Sequence, residues 1–201
     1  MKKDLNRQLQ YIKENFSDLN PVKPINHNNL IIYVNKNKIT QFLTFLRDDK
    51  NLSFKILLDV FGADMLGIRS PRFEVIYVLL SLKLNNRITI KVALDENEEV
   101  ETVSKVFSAA NWFEREAFDM YGIKFKNHPD LRRILTDYDF EGHPLRKDFP
   151  LTGYKEVRYD SDQRKVIYEP VKLTQEFRNF DFEMPWRGTQ YAVAKSQEKD
   201  K

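Results

Sequence analysis

Leu5, Leu9, Ile12 and Phe16 recur at helical spacing, so residues 4–17 read as an amphipathic helix laying its apolar side on a sheet or a partner. Asn20-Pro21-Val22-Lys23-Pro24 breaks that period, and Leu30-Ile31-Ile32-Tyr33-Val34 follows as a short strand. Asn35 is placed to cap a second helix with the stripe Ile39, Phe42, Leu43 and Leu46, ending around Arg47-Asp48-Asp49. Three stretches rich in β-branched and aromatic residues come next: Phe54 to Phe61, Arg72 to Leu82 and Arg87 to Leu94. Asn85-Asn86 is a tight-turn pair between the last two, and residues 62–69 form a looser connection between the first two, which predicts an antiparallel meander. Asp64 and Arg69 in that connection are candidates for a functional role, against the preferred reading of solvated loop residues with local turn bonds. Val100, Val103, Val106 and Phe107 put residues 98–107 on a third helical period. Asn111 then caps a fourth helix, with Glu114 as its capping-box partner and Glu116 beside it in the positive first turn. Its apolar side is Trp112, Phe113, Ala117, Met120 and Tyr121; Arg115 and Asp119 stand one turn apart as a pair, and Gly122 is the stop.

This order predicts an α+β domain of two layers, with helices packed on a mainly antiparallel sheet, over residues 1–153. Residues 154–201 differ in texture. Tyr154, Tyr159, Tyr168, Phe177, Phe180, Phe182, Trp186 and Tyr191 are scattered among charges without a sustained period, which predicts an extended arm that wraps a partner. One small hairpin is expected to turn at Tyr159-Asp160-Ser161-Asp162-Gln163.

Composition narrows the chemistry. At 201 residues the chain suffices for one domain with a sizeable core and an extension. Its 33 basic and 30 acidic residues give a net charge of only +3, so a pI near 8.9 carries no broad field for nucleic acid. With no cysteine there are no disulfides and no thiolate ligands for an iron–sulfur cluster. No apolar run approaches the ~20 residues that span a bilayer, so the chain is expected not to cross a membrane by itself. Its first residues carry Asp4 and Glu14 and lack an apolar stretch, which reads as neither secretory signal nor transit peptide.

The densest chemistry lies between Trp112 and Gly153. After Gly122 the helical period is lost, and Pro129, Pro144 and Pro150 bias the chain toward extended or turning backbone. Any of Arg132, Arg133 and Arg146 that is buried needs a carboxylate, a phosphate or a set of carbonyls, because guanidinium cannot be neutralised. Glu114, Glu116, Asp119, Asp130 and Asp148 are the candidate carboxylates. A metal site would have to use His128, His143, Asp130 and Glu141, but the histidines are fifteen residues apart on proline-broken chain with no helical His pair. An acid–base pair from Glu114, Glu116 and Asp119 meets Arg115, Arg132, Arg133, Arg146 and Lys147 as neutralising partners. No Gly-rich phosphate loop, nucleotide fingerprint or nucleophile elbow is present. Phe177-Arg178-Asn179-Phe180-Asp181-Phe182-Glu183 carries two acids against one base, which fits a protein interface better than a single-strand nucleic-acid surface.

Three runs carry a family resemblance. They are Glu114-Arg115-Glu116 with Asp119-Met120-Tyr121-Gly122, then His128-Pro129-Asp130-Leu131-Arg132-Arg133-Ile134-Leu135, then Gly142-His143-Pro144-Leu145-Arg146-Lys147-Asp148-Phe149-Pro150-Leu151. Together they resemble the signature of the C subunit of NADH-quinone oxidoreductase, respiratory complex I. This is the 30 kDa subunit family, called NADH dehydrogenase subunit nine in mitochondria. Residues 57–64, 72–79 and 174–178 also look like family segments. The resemblance implies an α+β fold and a non-catalytic structural subunit of the peripheral arm of a proton-translocating complex, with no catalytic, cofactor-binding or metal residue of its own. FMN and Fe–S clusters would sit in partner subunits of the complex, and this chain's own partners would be other peripheral-arm subunits, chiefly the large quinone-pocket subunit and the terminal Fe–S cluster subunit. The chain would meet the inner membrane only through the complex, on the mitochondrial matrix face or the bacterial cytoplasmic face. A related membrane-bound hydrogenase subunit would share much of the signature. The rival reading from another class is a stand-alone acid–base or metal-dependent enzyme using Glu114, Glu116, His128 and His143.

Overall fold

A computed structural model of the chain describes residues 5–16, 19–22 and 30–175. The chain divides into two compact units, Met1–Gly153 and Tyr154–Lys201. In the first, α1 (Leu5–Asn15) buries Ile12 fully and lays Leu9 against the core. Two short strands follow, β1 (Asn20–Val22) and β2 (Leu30–Tyr33). Asn35 caps as expected: its side-chain oxygen accepts the Asn37 N–H at 3.0 Å, starting a 3-10 turn, Lys36–Lys38, that runs into α2 (Ile39–Asp48). Ile39, Phe42, Leu43 and Leu46 are all fully buried, so the period read from the sequence is the core face of α2.

The meander forms as β3 (Ile56–Asp64), β4 (Phe73–Ser81) and β5 (Asn86–Leu94). The five-stranded sheet has the order β1-β2-β5-β4-β3; every neighbour pair is antiparallel except β2–β5. The helices' buried residues join Val75, Tyr77 and Leu79 of β4 and Ile88, Ile90 and Val92 of β5 in one core cluster. The result is the α+β architecture of helices on a mainly antiparallel sheet.

The first helix ends ahead of Asn20-Pro21-Val22 as expected, and that segment is in addition an edge strand, the one place in a sheet where proline costs little. Two local expectations are corrected. Residues 98–107 are not helical. Glu99–Glu101 form β6, paired in parallel with β7 (Lys124–Lys126) so that Val100 faces Phe125, and turns carry the chain on to Phe107. Val100, Val103 and Phe107 are buried all the same, but Glu99-Val100-Glu101 alternates with the period of a strand, and β-branched residues favour that choice. The signature helix α3 (Ala110–Tyr121) starts from Ala109 without a side-chain cap, so Asn111 lies inside it. Gly122 stops it as expected, at φ +76°, its N–H bonding the Phe118 carbonyl at 2.8 Å.

The second unit carries a hairpin of β8 (Lys155–Asp160) and β9 (Lys165–Pro170) that turns where expected. Asp160 accepts the N–H groups of Asp162 and Gln163, and Arg164 takes a positive φ. The aromatic residues from Phe177 to Tyr191, and Asp4 and Ser17 of the expected first helix, lie outside the described residues. Among the described residues no helix is long and apolar enough to cross a membrane.

Candidate functional site

The signature is built on three buried carboxylates, and Asp119 on α3 is the centre of one set. It has no exposed surface and takes five hydrogen bonds: from Arg133 Nη1 (2.8 Å), from the N–H groups of Ile134 (3.0 Å), Leu135 (2.7 Å) and Thr136 (2.9 Å), and from the Thr136 hydroxyl (2.6 Å). Burial alone would raise its pKa, but the Thr136, Leu135 and Arg133 donors outweigh burial and hold the carboxyl well below its ordinary range. Arg133 also donates to the Gly142 carbonyl at 2.9 Å, tying the second signature run to the third. The expected Arg115–Asp119 pair does not form. Arg115 instead donates to the Arg132 and Arg133 carbonyls, both at 3.0 Å, because the carboxylate one turn away is already filled by the chain it organises.

The third run closes the C-terminal end of α3. The last carbonyls of a helix lack partners within it, and here each finds one. Gly122 N–H takes Phe118 O, His143 Nδ1 donates to Asp119 O (2.9 Å), Leu145 N–H to Met120 O (3.0 Å), and Arg146 Nε to Tyr121 O (2.7 Å). Because a carbonyl can only accept, Nδ1 carries the His143 proton; burial pushes that ring's pKa down. A Cβ on Gly122 would stand 2.6 Å from His143 Nε2 and 2.8 Å from Arg146 Nη2, so glycine is required there for space as well as for φ.

Asp64, at the end of β3, anchors the same run. It takes Arg72 Nε (3.0 Å) and Nη2 (2.8 Å), the Lys147 N–H (2.8 Å) and the local Leu66 N–H (2.9 Å). Against the burial that opposes ionisation, these donors lower its pKa to about 2. Arg72 continues to Asp148 (2.8 Å), Glu96 joins Arg72 and Arg146, and both guanidiniums lie over the Phe73 ring, at 4.8 and 5.1 Å.

Glu114 is the third carboxylate. It is not a capping-box residue: it is fully buried and reaches back to β6 and its turn, accepting from the Val103 N–H (2.7 Å) and the Thr102 hydroxyl. Burial outweighs those two bonds and raises its pKa to about 7. His128 Nε2 lies 3.7 Å from it and donates to the Asn111 carbonyl (3.0 Å), while Nδ1 accepts the Asp130 N–H (3.0 Å). Glu116 is exposed, as are Pro129 and the Asp130–Arg132 pair on the adjoining turn, a surface contact of small energetic weight. The four residues of the enzyme reading are therefore not gathered. His128 serves the start of α3 and His143 its end, about 12 Å apart along the helix axis.

Asp64, Arg69, Arg72, Glu74, Glu96 and Thr102 are the structural residues that sequence reasoning missed or misread. Asp64 is buried rather than solvated, and Arg69, exposed on its loop as expected, also pairs with Glu74, which is fully buried and bonded by Tyr33 and Lys91. A lone acid within Phe73-Glu74-Val75-Ile76, and an acid ending one strand with Arg opening the next, are the signals that pointed to them. While Asp119, Arg133 and Arg146 turn inward on their own segment, its outward side carries large apolar side chains among exposed charges such as Glu116, Arg132, Lys147 and Asp148. Trp112 is 70% exposed, Leu135 63%, Tyr138 77% and Leu151 85%.

Residues 32–155 match the family described as "Respiratory-chain NADH dehydrogenase, 30 Kd subunit". The C subunit of the NADH-quinone oxidoreductase of Methylorubrum populi is 56% identical over 175 residues, 87% of this chain and 80% of its own length. That of Sinorhizobium medicae is 52% identical over 193 residues, 96% of each chain. Among solved structures, a chain of the membrane-bound sulfane sulfur reductase, an archaeal respiratory membrane complex, superposes with TM-score 0.61 over 73% of this chain and 85% of that one, a shared fold at 23% identity. The match spans both the sheet and the carboxylate-centred signature, and the chain belongs to the 30 kDa subunit family of respiratory-chain NADH dehydrogenase, the family of the NADH-quinone oxidoreductase C subunits.

Proposed function

We propose that this chain is a non-catalytic structural subunit in the peripheral arm of a proton-translocating NADH:quinone oxidoreductase. It supports the quinone-reducing module while electrons pass from NADH through FMN and Fe–S clusters held by other subunits. Its chief partners are the large quinone-pocket subunit and the terminal Fe–S cluster subunit, and it meets the membrane through them, on the matrix or cytoplasmic face. The observation that carries this reading is that Asp119, Asp64, Arg115, Arg133 and Arg146 are engaged by their own backbone and by one another, while apolar side chains face outward. Such a site holds a shape.

Arg146→Ala tests it. Glu96 is half exposed, so the ion pair weighs little, but losing the Tyr121 carbonyl bond and the stacking on Phe73 should cost about 1–3 kcal/mol. Assembled complex in membranes, measured by native gel, should fall several-fold while NADH:quinone turnover per assembled complex stays unchanged. Normal abundance with collapsed turnover would assign Arg146 to the chemistry and end the structural reading.

Residues 154–201 we take to be the partner-wrapping arm. Val157 pairs with Tyr168 and Tyr159 with Val166 on one face of the hairpin, and all four are more than half exposed. A two-stranded hairpin is marginal in water by itself, so a partner surface has to cover that face. Truncation after Gly153 should leave a cooperatively unfolding domain that fails to enter the complex. If that domain does not fold, the segment belongs to the core and the arm reading is wrong.

A further inference from the structure

The helices of the first unit bury their apolar residues against one face of the five-stranded sheet. Strand alternation turns a second set of side chains the other way: Ile31 of β2, Val78 and Leu80 of β4, and Ile56 and Phe61 of β3, with Leu58 in the bulge between Leu57 and Asp59. None of these six belongs to the core cluster or packs against it. Ile56 and Leu58 are each 36% exposed and Phe61 is 41% exposed; the other three are half-buried. At the upper end of the face Arg69 and Lys91 close over Glu74 and Tyr33; the remainder holds the apolar patch together with Asp59, opposite Val78, and Thr89 of β5. At its lower border, beside Leu80, stands exposed Arg87, which has no ion-pair partner among the described residues.

Sheets of this kind bury an apolar face under a second layer. The four strands from β2 to β3 span about 15 Å across the hydrogen-bonding direction, against about 10–12 Å for one helix with its side chains. All three described helices of this chain are already committed to the core face, so a second copy has no spare helix to lend. We propose that the open sheet face is the docking surface for an amphipathic helix of a different subunit, its apolar stripe on the patch and a carboxylate within reach of Arg87. The inference rests on the reading of this chain as a structural subunit and names a surface on it outside the signature.

The test places a photo-crosslinking amino acid at Leu58 of the full chain, assembled in its host, alongside Leu58→Glu and Arg87→Glu. The cross-link is expected on a helical segment of another subunit, with acidic residues flanking an apolar stripe. Leu58→Glu should leave the purified chain's circular dichroism and melting temperature close to wild type, since the side chain is over a third exposed. It should reduce assembled complex about tenfold or more. Arg87→Glu should reduce it less, with recovery when the cross-linked carboxylate is replaced by lysine. Cross-links to residues 176–201 of the same chain, to a second copy or to lipid would overturn the proposal, as would wild-type abundance of Leu58→Glu. If truncation after Gly153 blocks assembly while Leu58→Glu does not, only this docking face is lost. If the chain co-purifies with no other subunit, the structural-subunit reading falls as well.

Discussion

Asp119→Ala is expected to lower the unfolding free energy by about 3–5 kcal/mol, the scale for removing one member of a buried, hydrogen-bonded charge set. The variant would leave the Arg133 guanidinium, only 18% exposed, without its carboxylate, and would strand the N–H groups of three successive residues, Ile134 to Thr136. Against a total stability of about 5–15 kcal/mol for a domain of this size, that is enough to leave much of the chain unfolded at growth temperature. Urea unfolding of the purified chain should show a lower midpoint at an unchanged slope. A loss below about 1 kcal/mol would mean that water replaces Asp119 without penalty, contrary to its full burial.

The second large effect is a dependence on pH set by Glu114. Its carboxyl has an ordinary pKa of 4.5 and is raised to about 7 in the folded chain, so between those values the folded state holds a proton that the unfolded state has released. Stability therefore falls as pH rises from about 4.5 and levels off above about 7; at about 1.4 kcal/mol per unit the shift amounts to roughly 3 kcal/mol. Asp119 and Asp64 act with the opposite sign. Both are held below the ordinary carboxylate range, so the stability they add is present above about pH 4 and is lost as pH falls toward about 2. Maximum stability should lie at mildly acidic pH. Glu114→Gln, which keeps an acceptor for the Val103 N–H, should flatten the alkaline slope while leaving the acid limb intact. Identical slopes in the two proteins between pH 5 and 8 would exclude Glu114 as the titrating group.

How much of this was legible in the chain depends on the range of the interactions. The stripe Ile39, Phe42, Leu43 and Leu46, the meander and the Gly122 stop depend on period and on local backbone preference, and each is where the sequence places it. The errors lie where a distant partner outcompetes a local one. Glu114 sits at capping-box spacing from Asn111, yet it bonds Thr102 and Val103, which the β6–β7 pairing brings beneath α3. Arg115 has Asp119 at helical pairing distance, yet the carboxylate goes to residues 133–136, because three backbone N–H groups and a guanidinium offer it more than one cation at the helix surface. Asp64 and Lys147 meet across 83 residues, a separation no local pattern encodes. The sequence shows that Arg132, Arg133 and Arg146 need partners; only the fold assigns them Asp130, Asp119 and Glu96.

The capped end of α3 also bears on motion. Residues 142–147 lie in a glycine- and proline-punctuated loop, where backbone amides ordinarily exchange with solvent almost as fast as in an unfolded chain. Here the Leu145 amide is held by Met120 O and the Lys147 amide by Asp64, while His143 and Arg146 hold the helix carbonyls on either side of Met120. Opening the Leu145 amide removes a cap from α3, and opening the Lys147 amide breaks its bond to Asp64 at the end of β3. In deuterium-exchange experiments this loop should behave as a continuation of the helix and the edge strand, with Leu145 and Lys147 becoming labelled at the rate at which that whole corner of the sheet opens.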